Sequence, residues 1–281
     1  MALAFDIVGK RFGPTAVSWT EADAQIYALG VGAGAPDPLV DLEFTTECAE
    51  LGKQRVLPTF AIGLMQQHGL EIDLGDVSAS QRLHAEQSLV MLAPLAASGT
   101  VHVTRRVTDI WDKRSGALVN FESTAVDPVT DEPIAIAVSR SFIRGEGGFG
   151  GDSGPSAPSP IPDRAPDLEI EMATMPNQAL LFRQAGDRNP LHVDPDVAQR
   201  GGFARPILHG LCTYGFAARA LLRHVCDNDP ARFGRITGRF SAPTYPGDVL
   251  TVAMWLSDRT ASYQVRSGAT VVIDRGEFHA C

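Results

Sequence analysis

Apolar residues occur in two similar groups along the chain, one in each half. Each group begins with a Pro-led apolar segment that predicts a helix, residues 57–65 in the first half and 206 to about 225 in the second. Strand-like runs bounded by turn residues follow, at 99–111, 118–126 and 134–143, and then at 235–240, 249–256, 262–266 and 270–279. A helix followed by an antiparallel meander, twice, predicts an α+β fold in which each sheet wraps around a helix.

Two short helices precede these groups. Thr20 and Asp23 have the spacing of a capping box and predict a helix start in the first half. In the second half, Asn177 is expected to cap a helix over 178–185 that Gly186 closes.

A seven-residue string after each short helix indicates a duplication. The strings are Gly34-Ala-Pro-Asp-Pro-Leu-Val40 and Gly186-Asp-Arg-Asn-Pro-Leu-His192, which align without a gap at an offset of 152 residues. Only the second string carries an acid and an imidazole, Asp187 and His192. The repeats therefore predict one reactive half and one degenerate half.

The segment between the halves is rich in Gly, Pro and Ser. Gly145, Gly147 and Gly150 spell GxGxxG, but a dinucleotide fingerprint must lead from a strand into a helix, and a Pro/Ser/Gly run follows here. The composition favours a linker. The predicted organisation is a degenerate repeat at 1–145, a linker at 146–165 and a catalytic repeat at 166–281.

Composition narrows the class of protein. The 281 residues carry a net charge of −9, which argues against a nucleic-acid partner. No run of eighteen apolar residues predicts a membrane span, and the N-terminus lacks a signal-peptide core, so a cytoplasmic location is the expectation. The four cysteines form no CxxC pair and are expected to be reduced thiols, neither a disulfide framework nor a zinc site.

The second string and the helix after it suit the addition of water. Asp187 and His192 are two proton-transfer groups on one Pro-containing loop, and Asn189 between them can orient either partner. Gly210 lies in the first turn of the following helix, where a backbone N–H beside the positive helix end can stabilise an oxyanion. Together these groups fit hydration of a double bond conjugated to a carbonyl.

Less specific interpretations stay open for each residue alone. Asp187 is also typical of a turn, and His209 before the helix is more typical of a cap or supporting group than of a base. His192, Asp194 and His209 have no recognised metal-ligand spacing, so no metal is expected. Cys212, inside an apolar helix, is expected to be core.

A longer composite pattern resembles a known family. The string at 186–192, followed by Gly202-Phe-Ala-Arg-Pro-Ile-Leu-His-Gly-Leu-Cys-Thr213, is similar to the signature of the R-specific enoyl-CoA hydratases, the MaoC-like branch of the hot-dog superfamily. Further similar segments are His84-Ala-Glu-Gln-Ser-Leu89, 145–151 and Phe240-Ser-Ala-Pro-Thr-Tyr-Pro-Gly247. The resemblance implies a double hot-dog: two repeats, each a long helix wrapped by an antiparallel sheet.

The resemblance also implies a role for each matching position. It makes Asp187 and His192 the catalytic pair that holds the water, supported by Asn189, with Gly210 as the oxyanion amide. The positions implied to contact the acyl-CoA thioester are His84, Ala85, Lys113 and Phe240. The family usually has Gly where Ala85 stands, which puts a close backbone contact there in doubt.

The implied reaction is reversible syn hydration of a trans-2-enoyl-CoA to a (3R)-3-hydroxyacyl-CoA, without metal or redox cofactor. A homodimer is the expected assembly, and the degenerate half is expected to leave space for a long or bulky acyl chain. Whether that chain is fatty or a steroid side chain stays open. The alternatives are a hot-dog acyl-CoA thioesterase and a non-catalytic acyl-CoA-binding subunit.

Overall fold

The computed structural model describes residues 3–47, 52–66, 71–78, 81–156 and 158–281. The strands are β1 Arg11–Trp19, β2 Arg82–Met91, β3 Gly99–Asp112, β4 Gly116–Val126, β5 Pro133–Arg144, β6 Leu168–Ala173, β7 Phe233–Phe240, β8 Val249–Ser257, β9 Thr260–Ser267 and β10 Thr270–Ala280. The helices are α1 Glu21–Gly30, α2 Leu42–Thr45, α3 Phe60–Met65, α4 Gln178–Phe182, α5 Pro195–Arg200 and α6 Gly210–Cys226.

All ten strands form one antiparallel sheet in the order β1-β3-β4-β5-β2-β7-β10-β9-β8-β6. The first five positions come from one half of the chain and the last five from the other, and the halves meet where β2 pairs with β7. The second half repeats the strand arrangement of the first around this seam. The α+β double hot-dog expected from the sequence is therefore confirmed.

The short helices agree with the capping signals in part. Thr20 accepts from the Asp23 N–H and the Asp23 carboxylate accepts from the Thr20 N–H, so the capping box of α1 is confirmed. Helix α4 and the 3₁₀ turn Arg183–Ala185 together cover the predicted 178–185, and Gly186 follows at φ +123°. The Asn177 side chain makes no capping hydrogen bond, so that part of the prediction is wrong.

The central helices of the two halves differ in length. Helix α6 has 17 residues and is buried on almost every side, but it begins at Gly210, because residues 206–209 approach it in non-helical conformation. In the first half, α3 has six residues and ends where Gln66 leaves the helical region at φ −120°. Helix α6 packs against strands β7 to β10 of the second half, whereas α3 packs against β1, β4 and β5 of the first.

The segment between the halves is hydrogen-bonded along its length. The Asp112 carboxylate accepts from the N–H groups of Gly148 and Gly150, both at 2.8 Å. Farther along, the Trp255 indole N–H donates to the Arg164 carbonyl at 2.8 Å. No helix follows Gly150 in the described residues before β6, so the dinucleotide-fingerprint interpretation is excluded.

The sequence also predicted reduced cysteines and no membrane-spanning segment. Cys212, Cys226 and Cys281 are free thiols, and Cys48 lies outside the described residues. Among the described helices, none has both the length and the apolar character required to cross a membrane.

A buried ion pair ties the first half to α6. Asp41, directly after the degenerate string, bonds the guanidinium groups of Arg219 and Arg223, and the Asp41 and Arg219 side chains are 4% and 8% exposed. Arg219 also donates to the Val31 carbonyl at 2.8 Å. Two charges removed from water in this way depend on each other, because the loss of one partner leaves the other buried and uncompensated.

We expect Asp41→Asn to lower the free energy of unfolding by about 3–5 kcal/mol, because it leaves Arg219 buried without its counter-charge. Asparagine tolerates the left-handed backbone of Asp41 at φ 63°, so the substitution tests the charge alone. Urea denaturation measures the difference. The control is Glu122→Gln, which breaks the more exposed Arg106–Glu122 pair and is expected to cost less than about 1 kcal/mol. Equal effects of the two variants would contradict the prediction.

Candidate active site

The loop after α4 is held by its own side chains. The Asp187 carboxylate accepts from the Asn189 N–H at 3.1 Å, and the Asn189 side-chain oxygen accepts from the Leu191 N–H at 3.0 Å. Asn189 thereby caps the 3₁₀ turn Pro190–His192. Its side-chain oxygen is engaged in shaping the loop and is not bonded to the side chain of Asp187 or His192.

His192 is buried, and one hydrogen bond fixes its tautomer. Its Nδ1 lies 2.9 Å from the carbonyl oxygen of Ile207, which can only accept, so Nδ1 carries the proton. Nε2 is then the unprotonated nitrogen and is able to take a proton. Burial lowers the pKa of His192, while the negative charge of Asp187 opposes that effect.

His209 completes a compact cluster with the pair. Its ring stacks on the ring of His192, with centroids 3.7 Å apart and planes inclined by 29°. Its Nε2 donates to the backbone carbonyl of Asp187 at 3.2 Å. Burial, followed by the charges of His192 and Arg183, lowers the pKa of His209 to about 2, although the bond to Asp187 opposes this. Sequence reasoning placed His209 as a cap or supporting group, and no motif signalled the stacking.

The three side chains offer potential metal-ligand atoms within 4.8 Å of one another. A single ion bound by both imidazoles must lie in both ring planes, about 2.0–2.1 Å from each nitrogen. The rings of His192 and His209 stack, and one nitrogen of each is engaged with a backbone carbonyl. An ion shared by the two rings would have to use the other nitrogen of each.

Gly210 and Phe240 meet beside this cluster. Gly210 begins α6, where a first-turn N–H has no intrahelical acceptor, and no backbone acceptor for it is found in the described part of the chain. A Cβ added at Gly210 would lie 3.2 Å from the Phe240 ring, closer than most real Cβ contacts. The absence of a side chain therefore leaves room between the amide and the aromatic ring.

The first half supplies His84 through an irregular strand. A β-bulge in β2 leaves Ala85 without a partner, between His84 opposite Ser141 and Glu86 opposite Arg140. Because Ser141 is buried and Arg140 is not, the bulge keeps His84 on the inner face of the sheet.

His84 lies close to the second-half cluster. Its ring contacts that of Phe240 edge-on, with centroids 4.9 Å apart. Burial, and then the charge of Arg82, lower the pKa of His84 to about 4, and the charge of Asp187 acts in the opposite direction. Sequence reasoning missed Arg82 and Arg183, because the proximity of these cations to the imidazoles depends on tertiary structure.

Lys113 lies apart from the cluster. It follows β3 in the β3–β4 hairpin, at the end of the sheet where β2 begins. Strand β3 is three positions from β2, which is about 14 Å along the sheet at roughly 4.8 Å per strand. The Lys113 ammonium group donates to the Ser153 carbonyl of the segment between the halves. The structure thus brings together Asp187, His192, Gly210, His84 and Phe240, with Ala85 next to His84 in the bulge, and Lys113 lies three strand positions from β2.

The corresponding positions in the first half lack reactive groups. The offset of 152 residues relates Asp187 and His192 to Ala35 and Val40, and it also relates His209 and Gly210 to Leu57 and Pro58. Proline has no N–H to donate. The first copy therefore has neither the acid–imidazole pair nor the helix-start amide.

We expect His84→Gln to flatten the dependence of stability on pH. The unfolded chain takes up a proton at His84 as the pH falls through about 6.5, whereas the folded protein does so only near pH 4, so stability falls with pH between these values. The loss is about 1.4 kcal/mol per pH unit for each such histidine. Urea denaturation from pH 8 to pH 4.5 measures it. Wild type and variant should have parallel profiles above pH 7.5, and parallel profiles below pH 6 would refute the prediction.

Comparison with known proteins agrees with this architecture and identifies related chains. A profile of the MFE-2 hydratase 2 N-terminal domain matches residues 17–145, and one of the MaoC like domain matches residues 158–276. Over 266 residues the chain is 41% identical to the enoyl-CoA hydratase ChsH3 of Mycobacterium tuberculosis, covering 92% of this chain and 91% of that protein. It is also 41% identical over 263 residues to 3-hydroxyacyl-thioester dehydratase Y of the same organism, covering 92% and 89%.

Among solved structures, a MaoC-like dehydratase from Phytophthora capsici is similar over 98% of this chain and 96% of its own, with a TM-score of 0.87 and 32% identity. The family resemblance noted in the sequence is thus confirmed over nearly the whole length. The protein belongs to the MaoC-like dehydratase family, in the form whose first repeat is an MFE-2 hydratase 2 N-terminal domain.

Proposed function

We propose that the protein catalyses the reversible hydration of trans-2-enoyl-CoA to (3R)-3-hydroxyacyl-CoA, with Asp187 and His192 as the catalytic pair. It is a hydro-lyase, as the relatives named enoyl-CoA hydratase and 3-hydroxyacyl-thioester dehydratase support. The observation that carries the proposed mechanism is the His192–Ile207 hydrogen bond, since it leaves Nε2 of His192 as a base close to the Asp187 side chain. The R configuration rests on the family resemblance.

The pair acts on one water molecule. His192 Nε2 takes a proton from the water as the water oxygen bonds to C3 of the enoyl group. Asp187 accepts a hydrogen bond from the second O–H and so orients the water. Electrons shift from the double bond to the thioester oxygen, giving an enolate. The proton held by His192 then passes to C2 on the same face, which makes the addition syn and returns both residues to their starting states.

Gly210 stabilises the enolate. Its N–H lies at the positive end of α6, and a backbone amide there is fixed before the reaction begins. Phe240 on one side of the amide and His84 beyond it exclude water from the thioester. Ala85, in the bulge next to His84, is proposed to contact the coenzyme.

Lys113 provides a cation for the coenzyme phosphates. The β3–β4 hairpin lies at the same end of the sheet as His84. Coenzyme A that extends from the thioester along this end of the sheet approaches the ammonium group. A flexible ammonium group suits a phosphate as a point charge. The proposal includes no metal and no redox cofactor, because hydration changes no overall oxidation state and the protein supplies the acid–base groups.

A homodimer and a cytoplasmic location complete the proposal. The dimer rests on the resemblance to hot-dog proteins, which commonly associate, and light scattering of the purified protein tests it. Fractionation of expressing cells tests the location. No nucleic-acid partner is proposed, in keeping with the net charge of −9.

The first test is the loss of conjugated thioester absorbance from crotonyl-CoA and trans-2-decenoyl-CoA. Wild type should hydrate at least one of them, and Asp187→Asn and His192→Gln should lower kcat by about 100-fold or more, because each removes a proton-transfer group. The matched control is Asp196→Asn, an exposed carboxylate in α5 that should leave the rate unchanged. Chiral analysis of the product tests the R configuration.

Two results would replace this proposal. Release of free thiol without loss of the double bond would indicate the thioesterase. Tight binding of both thioesters without turnover would indicate the non-catalytic subunit.

The second test concerns the acyl chain, which we propose to be long or bulky. The first repeat has Ala35, Val40, Leu57 and Pro58 in place of the reactive groups, so nothing requires it to hold a second reacting thioester. Each buried methylene contributes about 0.8 kcal/mol, so kcat/KM for the decenoyl substrate should exceed that for crotonyl-CoA by tenfold or more, on the order of two buried methylenes. Equal values for the two substrates would eliminate the idea.

A further inference from the structure

His209 contacts both members of the catalytic pair. Its ring stacks on His192 at 3.7 Å and makes a tilted contact with Phe182, with centroids 4.9 Å apart. The ring edge donates through Nε2 to the Asp187 carbonyl. The imidazole, 1% exposed as a residue, therefore contacts two rings and a carbonyl group.

The backbone of His209 is fixed by the long helix. Its carbonyl accepts from the N–H groups of Cys212 at 3.0 Å and Thr213 at 3.2 Å in the first turn of α6. The helix is buried on almost every side and packs against strands β7 to β10. Because the helix start is fixed, the His209 ring limits the movement of the loop that carries Asp187 and His192.

The neutral protonation state of His209 is also favoured by its surroundings. Nε2 carries its proton toward a carbonyl, and the buried Nδ1 has no hydrogen-bond partner in the described part of the chain. Burial disfavours a second proton on this ring, and the Arg183 charge and any proton that His192 takes up disfavour it further. His192 itself faces the Asp187 carboxylate, the Ile207 carbonyl and the ring of His209.

We infer that His209 is a positioning residue for hydration: a neutral imidazole that aligns the His192 ring with Asp187 and stabilises the imidazolium that His192 becomes during proton transfer. An aromatic face attracts a cation, whereas a second charged imidazole at 3.7 Å would repel it. This inference rests on the proposed function, because the imidazolium forms only if His192 acts as the base.

Two substitutions separate the contributions of the ring and the donor. His209→Gln keeps an N–H donor near the position of Nε2 but removes the stacked ring. His209→Phe keeps a stacked ring but removes the donor to the Asp187 carbonyl. Leu222→Val is the matched control, because it loosens the packing of the same helix at a buried position far along it from the helix start.

We expect His209→Gln to lower kcat by about 10- to 100-fold with KM within about threefold of wild type, because misalignment affects the reacting geometry more than binding. The acid limb of its kcat/KM profile should move to lower pH, by about half a pH unit or more, because the imidazolium loses an aromatic neighbour. His209→Phe should lower kcat but keep its acid limb close to that of wild type. Leu222→Val should lower the melting temperature and leave the acid limb in place.

NMR titration of the His192 ring gives a readout that does not require turnover. Its titration midpoint should fall in His209→Gln and be restored toward wild type in His209→Phe. If both variants only lower the melting temperature, with the His192 midpoint and the acid limb unchanged as in Leu222→Val, the inference is overturned. If wild type hydrates no enoyl-CoA, the proposed function fails, and the NMR titration still decides whether His209 stabilises charge on His192.

Discussion

The antiparallel pairing of β2 with β7 is the contact on which the rest of the structure depends. It runs from Glu86 opposite Arg239 to Val90 opposite Arg235 and joins two five-stranded groups into one sheet. Tyr214 of α6 donates to the Ile236 carbonyl at 2.9 Å, which ties the helix to this seam. Since His84 precedes the seam on β2 and Phe240 follows it on β7, the same pairing brings a residue of the first repeat into a site otherwise formed by the second.

The two repeats contribute differently to the core and to the site. Helix α6 packs on the strands of the second half, and the first half approaches it so closely that a Cβ at Gly32 would lie 2.4 Å from the Phe216 ring. At φ +79° this position also suits glycine alone. Helix α3 has six residues, and the loop after α1 ends in the Asp41–Arg219 ion pair. The first repeat contributes packing and His84, and the second contributes Asp187, His192 and the helix-start amide.

The sequence predicted the regular parts of the fold well and its irregular parts poorly. All seven predicted strands occur within two residues of their predicted ends, because alternation on a half-buried sheet leaves a strong pattern. Strand β1 was missed because Gly13 and Pro14 interrupt it at a register shift. Strand β2 was missed because its inner face carries the polar residues His84 and Gln87. Strand β6 did alternate, with Glu169 and Glu171 outward, but its six residues follow the linker closely.

Within the site, short sequence motifs identified candidate residues but not the contacts between them. The string at 186–192 was sufficient to nominate Asp187 and His192, because both lie on one short loop. The stacking of His209 on His192 was not predictable, since it requires the start of α6 to meet that loop across a gap of 17 residues. Asn189 was expected to orient either partner of the pair, and its side-chain oxygen caps the 3₁₀ turn, because the adjacent Pro190 leaves the Leu191 N–H as the nearest donor.

The electrostatics of the site oppose those of the whole protein. A net charge of −9 favours protonation of histidines over the surface as a whole, yet burial lowers the pKa of His84, His192 and His209. Arg82 beside His84 and Arg183 beside His209 add to this effect, because a nearby positive charge disfavours a second one. Desolvation and local cations therefore outweigh the acidic field. The imidazoles remain in the neutral form that a base requires. As a consequence, the free energy of unfolding decreases when the pH falls.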